Sequence, residues 1–144
     1  MEFFDKGKSQ GYIELDIWGE QVRPKEISQI LQVKPTYMNE KGDISEYGDK
    51  PYLVASWEFN TNETSIEDFS IPMDELINVF KDKTGHIREI KRKYDCIVKV
   101  CVVLYNHQPF LPSLGFRDDQ IAFLAEIGAQ LDYDIYLSGS EDDD

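Results

Sequence analysis

Residues 97–105, IVKVCVVLY, are apolar on both alternating faces, and this run decides the architecture. A half-buried strand has one oily side; a strand with two belongs in the middle of a sheet. Lys99 is its one charge. Asn106 and Pro109 lie just beyond it and make a turn.

Working outward, residues 12–18 (YIELDIW) alternate Ile13, Leu15 and Ile17 against Tyr12, Glu14, Asp16 and Trp18, which is the period of a strand with one oily and one acidic face. Pro24 opens a short helix on Ile27, Ile30 and Leu31, and Pro35 closes it. Residues 37–50 are polar, with Gly42 and Gly48, and read as a loop. Residues 52–59 (YLVASWEF) return to strand chemistry, with Leu53, Ala55, Trp57 and Phe59 on the inner face. Two amphipathic helices follow, one on Met73, Leu76, Ile77 and Phe80, the other on Ile87, Ile90 and Tyr94. After the central strand come a short strand within 110–116 and a helix N-capped by Asp118 or Asp119, with Ile121, Leu124, Ala125 and Gly128 inward. Residues 131–137 (LDYDIYL) alternate again.

The pattern predicts an α+β domain: a mixed sheet of four to five strands, helices on one face, and two βαβ-like halves without residue-level repeat. A ferredoxin-like order, with the last strand beside the first, is the simplest packing. Ile13, Leu15, Ile17, Trp57, Val100, Val102, Leu124 and Ile135 form the expected core.

A chain of 144 residues fits one domain, here 1–144 with its core in about 11–137 and an acidic tail, 139–144, expected to be disordered. At 41% hydrophobic residues it is no disordered chain. No apolar run reaches the roughly 18 residues of a membrane helix, and residues 1–8 lack the oily stretch of a secretory signal, so a cytoplasmic protein without a membrane partner is expected. Cys96 and Cys101 sit five apart on what reads as one strand, which sets them on opposite faces as separate reduced thiols.

The formal charge of −13 argues against nucleic acid, since the basic residues cluster only at Arg88, Lys91, Arg92 and Lys93. A basic protein is the natural complement. His86 and His107 lie apart without ligand-spaced partners, so no metal site is assigned. No nucleophile or phosphate-binding motif is present, and no catalytic residue or cofactor is named.

Segments 26–36 (EISQILQVKPT), 40–43 (EKGD), 56–59 (SWEF) and 121–136 (IAFLAEIGAQLDYDIY) together resemble a bacterial family known only as a domain of unknown function, across about 11–137. The resemblance implies an α+β fold and no activity. Gln32 stands where such sequences tend to have Gly. Small acidic domains of this kind suggest, by analogy, immunity-type inhibitors of secreted bacterial toxins.

If the last strand lies beside the first, Glu14, Asp16 and Trp18 share the open sheet face with Asp132, Asp134 and Tyr136. Four neighbouring carboxylates repel unless a cation, a basic partner or nearby lysines relieve them. These six residues are the candidate partner-binding site of a non-enzymatic protein-binding domain. Two other readings stand beside it: a small ligand- or metal-binding enzyme that uses the same carboxylates, and an oligomerisation module.

Overall fold

The computed structural model describes residues 8–137, and its centre is a pair of ten-residue strands. Strand β1 (Gln10–Gly19) runs antiparallel to β5 (Ile97–Asn106), the IVKVCVVLY segment, with Ile13 opposite Val102 and Ile17 opposite Val98. Among the described residues the other strands are β2 (Tyr37–Asn39), β3 (Ala55–Asn60), β4 (Thr64–Ser65) and β6 (Gln130–Leu137). The sheet order is β2-β3-β1-β5-β6, with β4 paired to the start of β1. Of the described strand pairs only β5–β6 is parallel. The sheet is therefore mixed, as expected, with six strands rather than four or five.

Among the described residues four helices complete the fold: α1 (Pro24–Leu31), α2 (Ser70–Phe80), α3 (Thr84–Tyr94) and α4 (Asp118–Glu126). Their apolar stripes, including Ile27, Leu31, Met73, Leu76, Phe80, Ile87 and Ile90, join one core with Ile13, Leu15, Ile17, Trp57, Val98, Val100 and Val102. All helices thus serve one sheet face. Trp57 is fully buried, and its indole N–H donates to Ser28 Oγ at 3.0 Å, which gives its polar atom a partner inside the core. At Gly11 a Cβ would lie 2.6 Å from the Val103 carbonyl oxygen and 2.7 Å from the Phe69 ring, so β1 can pass under the start of α2 only without a side chain there.

Chain ends of the helices follow local chemistry. Pro24 sits in the first turn of α1, where its missing N–H costs nothing. Gln32 ends that helix in the left-handed conformation, φ 55°; its N–H donates to Ser28 O at 2.9 Å and its side-chain amide to Gln29 O at 2.7 Å. The basic cluster at 88–93 has a structural role: Arg88 donates to Glu126 O at 2.8 Å and Lys91 to Gly128 O at 2.7 Å, satisfying carbonyls at the end of α4. Lys93 pairs with Glu26 at 2.7 Å, tying α3 to α1.

Several expectations are corrected. The last strand lies beside β5, not beside β1, because α4 returns the chain on the far side of the central strand. The first half is no βαβ unit, since β1 and β3 are antiparallel. Residues 110–116 form no strand; Ser113 makes one isolated bridge to Asp68. The loop at 37–50 begins with the short strand β2. Residues 52–54 precede β3, and Leu53 is exposed rather than inward. In α4 the helix starts at Asp118 behind Arg117, and the buried stripe is Gln120, Phe123, Leu124 and Ile127, with Ile121 and Ala125 outward. Gln120 misled the reading because a polar residue seldom faces a core; here its amide donates to Ser70 O at 2.8 Å and Asp74 Oδ1 at 3.0 Å. Ile135 leaves the core, 38% exposed, because β6 lies at the sheet margin. The other seven expected core residues are buried. The tail at 139–144 lies outside the described residues. Among those described, no helix is long and apolar enough to cross a membrane.

Candidate functional site

The sheet face opposite the described helices carries Tyr12, Glu14, Asp16 and Trp18 from β1. Strand register decides what joins them. Glu14 stands between Cys101 of β5 and Asn60 of β3, and Asp16 between Lys99 and Glu58. Beyond β5, Cys101 faces Asp132, Val103 faces Asp134, and Tyr105 faces Tyr136. The six predicted residues therefore share one face, as expected, but fall into two groups with β5 between them. Trp18 and Tyr136 lie at opposite ends of the sheet, because Trp18 pairs with the first residue of β5 and Tyr136 with Tyr105 near its last.

Within the first group Glu14, Asp16 and Glu58 bring carboxylate oxygens within 4.8 Å of one another. Burial pushes the Glu14 carboxyl up to about 8, and the charges of Asp16 and Asp134 add to the rise while Lys99 opposes it. Asp16 rises to about 6 through burial, moderated by the hydrogen bond it shares with Glu14. Both carboxyls thus hold their protons to higher pH than free ones, Glu14 more than Asp16. Glu58 is raised as well, by burial and then by Glu14, with Asn60 partly offsetting it. The Asn60 Oδ1 is buried without a hydrogen-bond partner. All these side chains offer oxygens, the donor type of hard cations and of ammonium or guanidinium groups.

The second group is open to solvent. Asp132 pairs with Lys99 at 3.8 Å, so Lys99 is the cation that relieves part of this acidic face. Tyr136 stacks on Tyr105 with ring centroids 5.0 Å apart. Cys101 is buried beneath the face, where its surroundings and the nearby Asp134 hold the thiol up to about 12, so it stays protonated. Cys96 belongs to the helix-side core, and both cysteines are free.

Reading the sequence missed Glu58, Asn60 and Lys99. Each had a signal: Ser56, Glu58 and Asn60 alternate against the inward Trp57, and Lys99 is the lone charge in a strand apolar on both sides. A cleft of about 570 Å³ lies elsewhere, between Ser65, Ile66, Ile71, Phe110 and Leu111.

The chain belongs to the family described as Domain of unknown function (DUF4279), whose model matches residues 9–138. No curated protein and no solved structure matches it. The family description assigns no activity, so function rests on the chemistry of the face.

Proposed function

We propose that this chain is a non-enzymatic protein-binding domain whose helix-free sheet face receives a basic partner protein. The observation that carries the reading is the convergence of Glu14, Asp16 and Glu58 on a face that no helix covers, flanked by the exposed Asp132, Asp134 and Tyr136. Holding these carboxylates together costs stability, and an incoming lysine or arginine replaces their repulsion with attraction. Tyr136 and Trp18 supply amphipathic contact area beside the charges. An immunity-type inhibitor bound to a basic bacterial toxin in the cytoplasm is one form of this role, by analogy with other small acidic domains.

The test begins with the protein that wild type captures from its source cells. Replacing Asp132 and Asp134 by Asn should slow association with that partner and flatten its salt dependence, with less effect on dissociation, since exposed charges act on encounter. Unchanged on-rate and salt slope would reduce the face to solvated surface.

A second reading draws on the 4.8 Å convergence itself, which suits a divalent cation held by Glu14, Asp16 and Glu58. Under it, magnesium, calcium or manganese raises the melting temperature of wild type and leaves Glu58→Gln unmoved.

A further inference from the structure

The two margins of the sheet differ sharply. One ends in β2, three residues long; the other ends in β6, eight residues long, with every residue exposed. Proteins blunt such edges with short strands, lysine, proline or bulges. Strand β6, QLDYDIYL, has no lysine, proline or glycine, and among the described residues its outer backbone edge pairs with nothing. Its pairing with β5 is parallel, an arrangement that is normally covered on both faces.

The side chains of β6 divide by parity. Asp132, Asp134 and Tyr136 lie on the open face; Leu131, Tyr133, Ile135 and Leu137 lie on the other, between 38% and 71% exposed. That apolar row continues into a shallow cleft of about 470 Å³ whose walls include Phe110, Leu111, Ile135 and Leu137.

We propose that β6 accepts an added strand: an extended segment of a partner protein in which lysine or arginine alternates with apolar residues. The inference rests on the reading of the open face as a surface for basic proteins, and it names the element that docks them. A strand laid along β6 sets alternate side chains over Asp132 and Asp134 and the intervening ones against Leu131, Tyr133 and Ile135. Backbone hydrogen bonds give affinity, and the alternation gives specificity. A second copy fits badly. The two longest antiparallel registers that keep like faces together centre on Tyr133 or on Asp134. The first sets Asp132 against the copy's Asp134, the second sets Asp134 against itself, and directly opposed like charges destabilise paired strands. The same two carboxylates thus oppose self-pairing and favour a cationic strand.

The probe is a capped synthetic peptide of alternating lysine and valine or threonine, titrated into the isotope-labelled full chain and followed by amide shifts and hydrogen exchange. Saturable binding should slow exchange of the outward β6 amides at least about tenfold, and Asp132→Lys with Asp134→Lys should weaken it by roughly tenfold, two attractive pairs having become repulsive. Should that variant fold poorly, the Asp132→Asn and Asp134→Asn pair should show a loss of about threefold. A glutamate-for-lysine peptide, and a lysine peptide N-methylated along one edge, should not bind. Binding that shifts only the surroundings of Glu14, Asp16 and Glu58 overturns strand addition and leaves the acidic-face reading standing. No saturable binding of the lysine peptide, even at low salt, overturns both. Protection of β6 that grows with protein concentration alone assigns the edge to a second copy and overturns the proposal.

Discussion

Along β1 neighbouring residues live under different rules. Leu15 is fully buried against the helices, while Glu14 and Asp16, one step away on either side, are half-buried among other carboxylates on the face that no helix covers. The helix side follows packing: Ile13, Leu15 and Ile17 meet Val98, Val100 and Val102 of β5 and the stripes of the helices. The open side runs against stability, since it half-buries acids whose hold on protons is raised by burial first and by neighbouring carboxylates second. What the contrast teaches is a division of labour within one strand: the fold is secured by alternate residues, and the remaining ones are free to carry chemistry that the fold does not need.

Truncation offers the hardest blow to that contrast. Leu15→Ala should lower stability by about 2 to 5 kcal/mol in a denaturant titration, through lost transfer energy and the cavity left behind. A loss under about 1 kcal/mol would mean that the covered side is not the packed side.

Across the strand, Glu14→Gln should act in the opposite direction and only above about pH 4.5. Folded, Glu14 holds its proton to about pH 8; unfolded, only to about 4.5. The folded state therefore binds the extra proton between those values. The stability it contributes is complete below pH 4.5 and is lost as pH rises through 8. Wild type should melt at progressively lower temperature over that window, and the variant, without the titrating group, should melt above it by a margin that widens with pH. Parallel curves would show that the face is fully solvated and its acids independent.

The smallest effect sharpens the comparison by lying on neither face. Gln32→Gly removes the cost of a left-handed residue with a side chain at the end of α1, and should add about 0.5 to 1 kcal/mol at every pH. A gain that varies with pH between 4.5 and 8 would mean that the Glu14 window is not specific to the open face.

Much of this was legible in the amino-acid order because alternation reports which side of a strand is dry. Residues 12–18 disclosed both faces of β1, and residues 97–105 disclosed a central strand. Alternation does not report which strand lies next to which. The same pattern in residues 131–137 fits a place beside β1 or beside β5, and the lateral order was missed for that reason. The candidate site split accordingly: the face of all six residues could be read, but their grouping depended on neighbours. Glu58 entered the cluster because β3 flanks β1, and Lys99 reached Asp132 because β5 lies between β1 and β6. Ile135 went astray in a related way, since an alternating apolar residue on an edge strand has nothing to pack under.

The pairing of β1 with β5 also has a meaning in time. Strand β1 must wait for a partner made much later in the chain, Gln10 finding Tyr105 and Trp18 finding Ile97. Until then the oily side of β1 has only β3, β4 and the first helices to shelter it, and closure over so long a span is slow. A nascent chain stalled before residue 97 would leave Ile13, Leu15 and Ile17 without their central neighbour, so this domain should depend on holding factors during synthesis more than its modest size suggests.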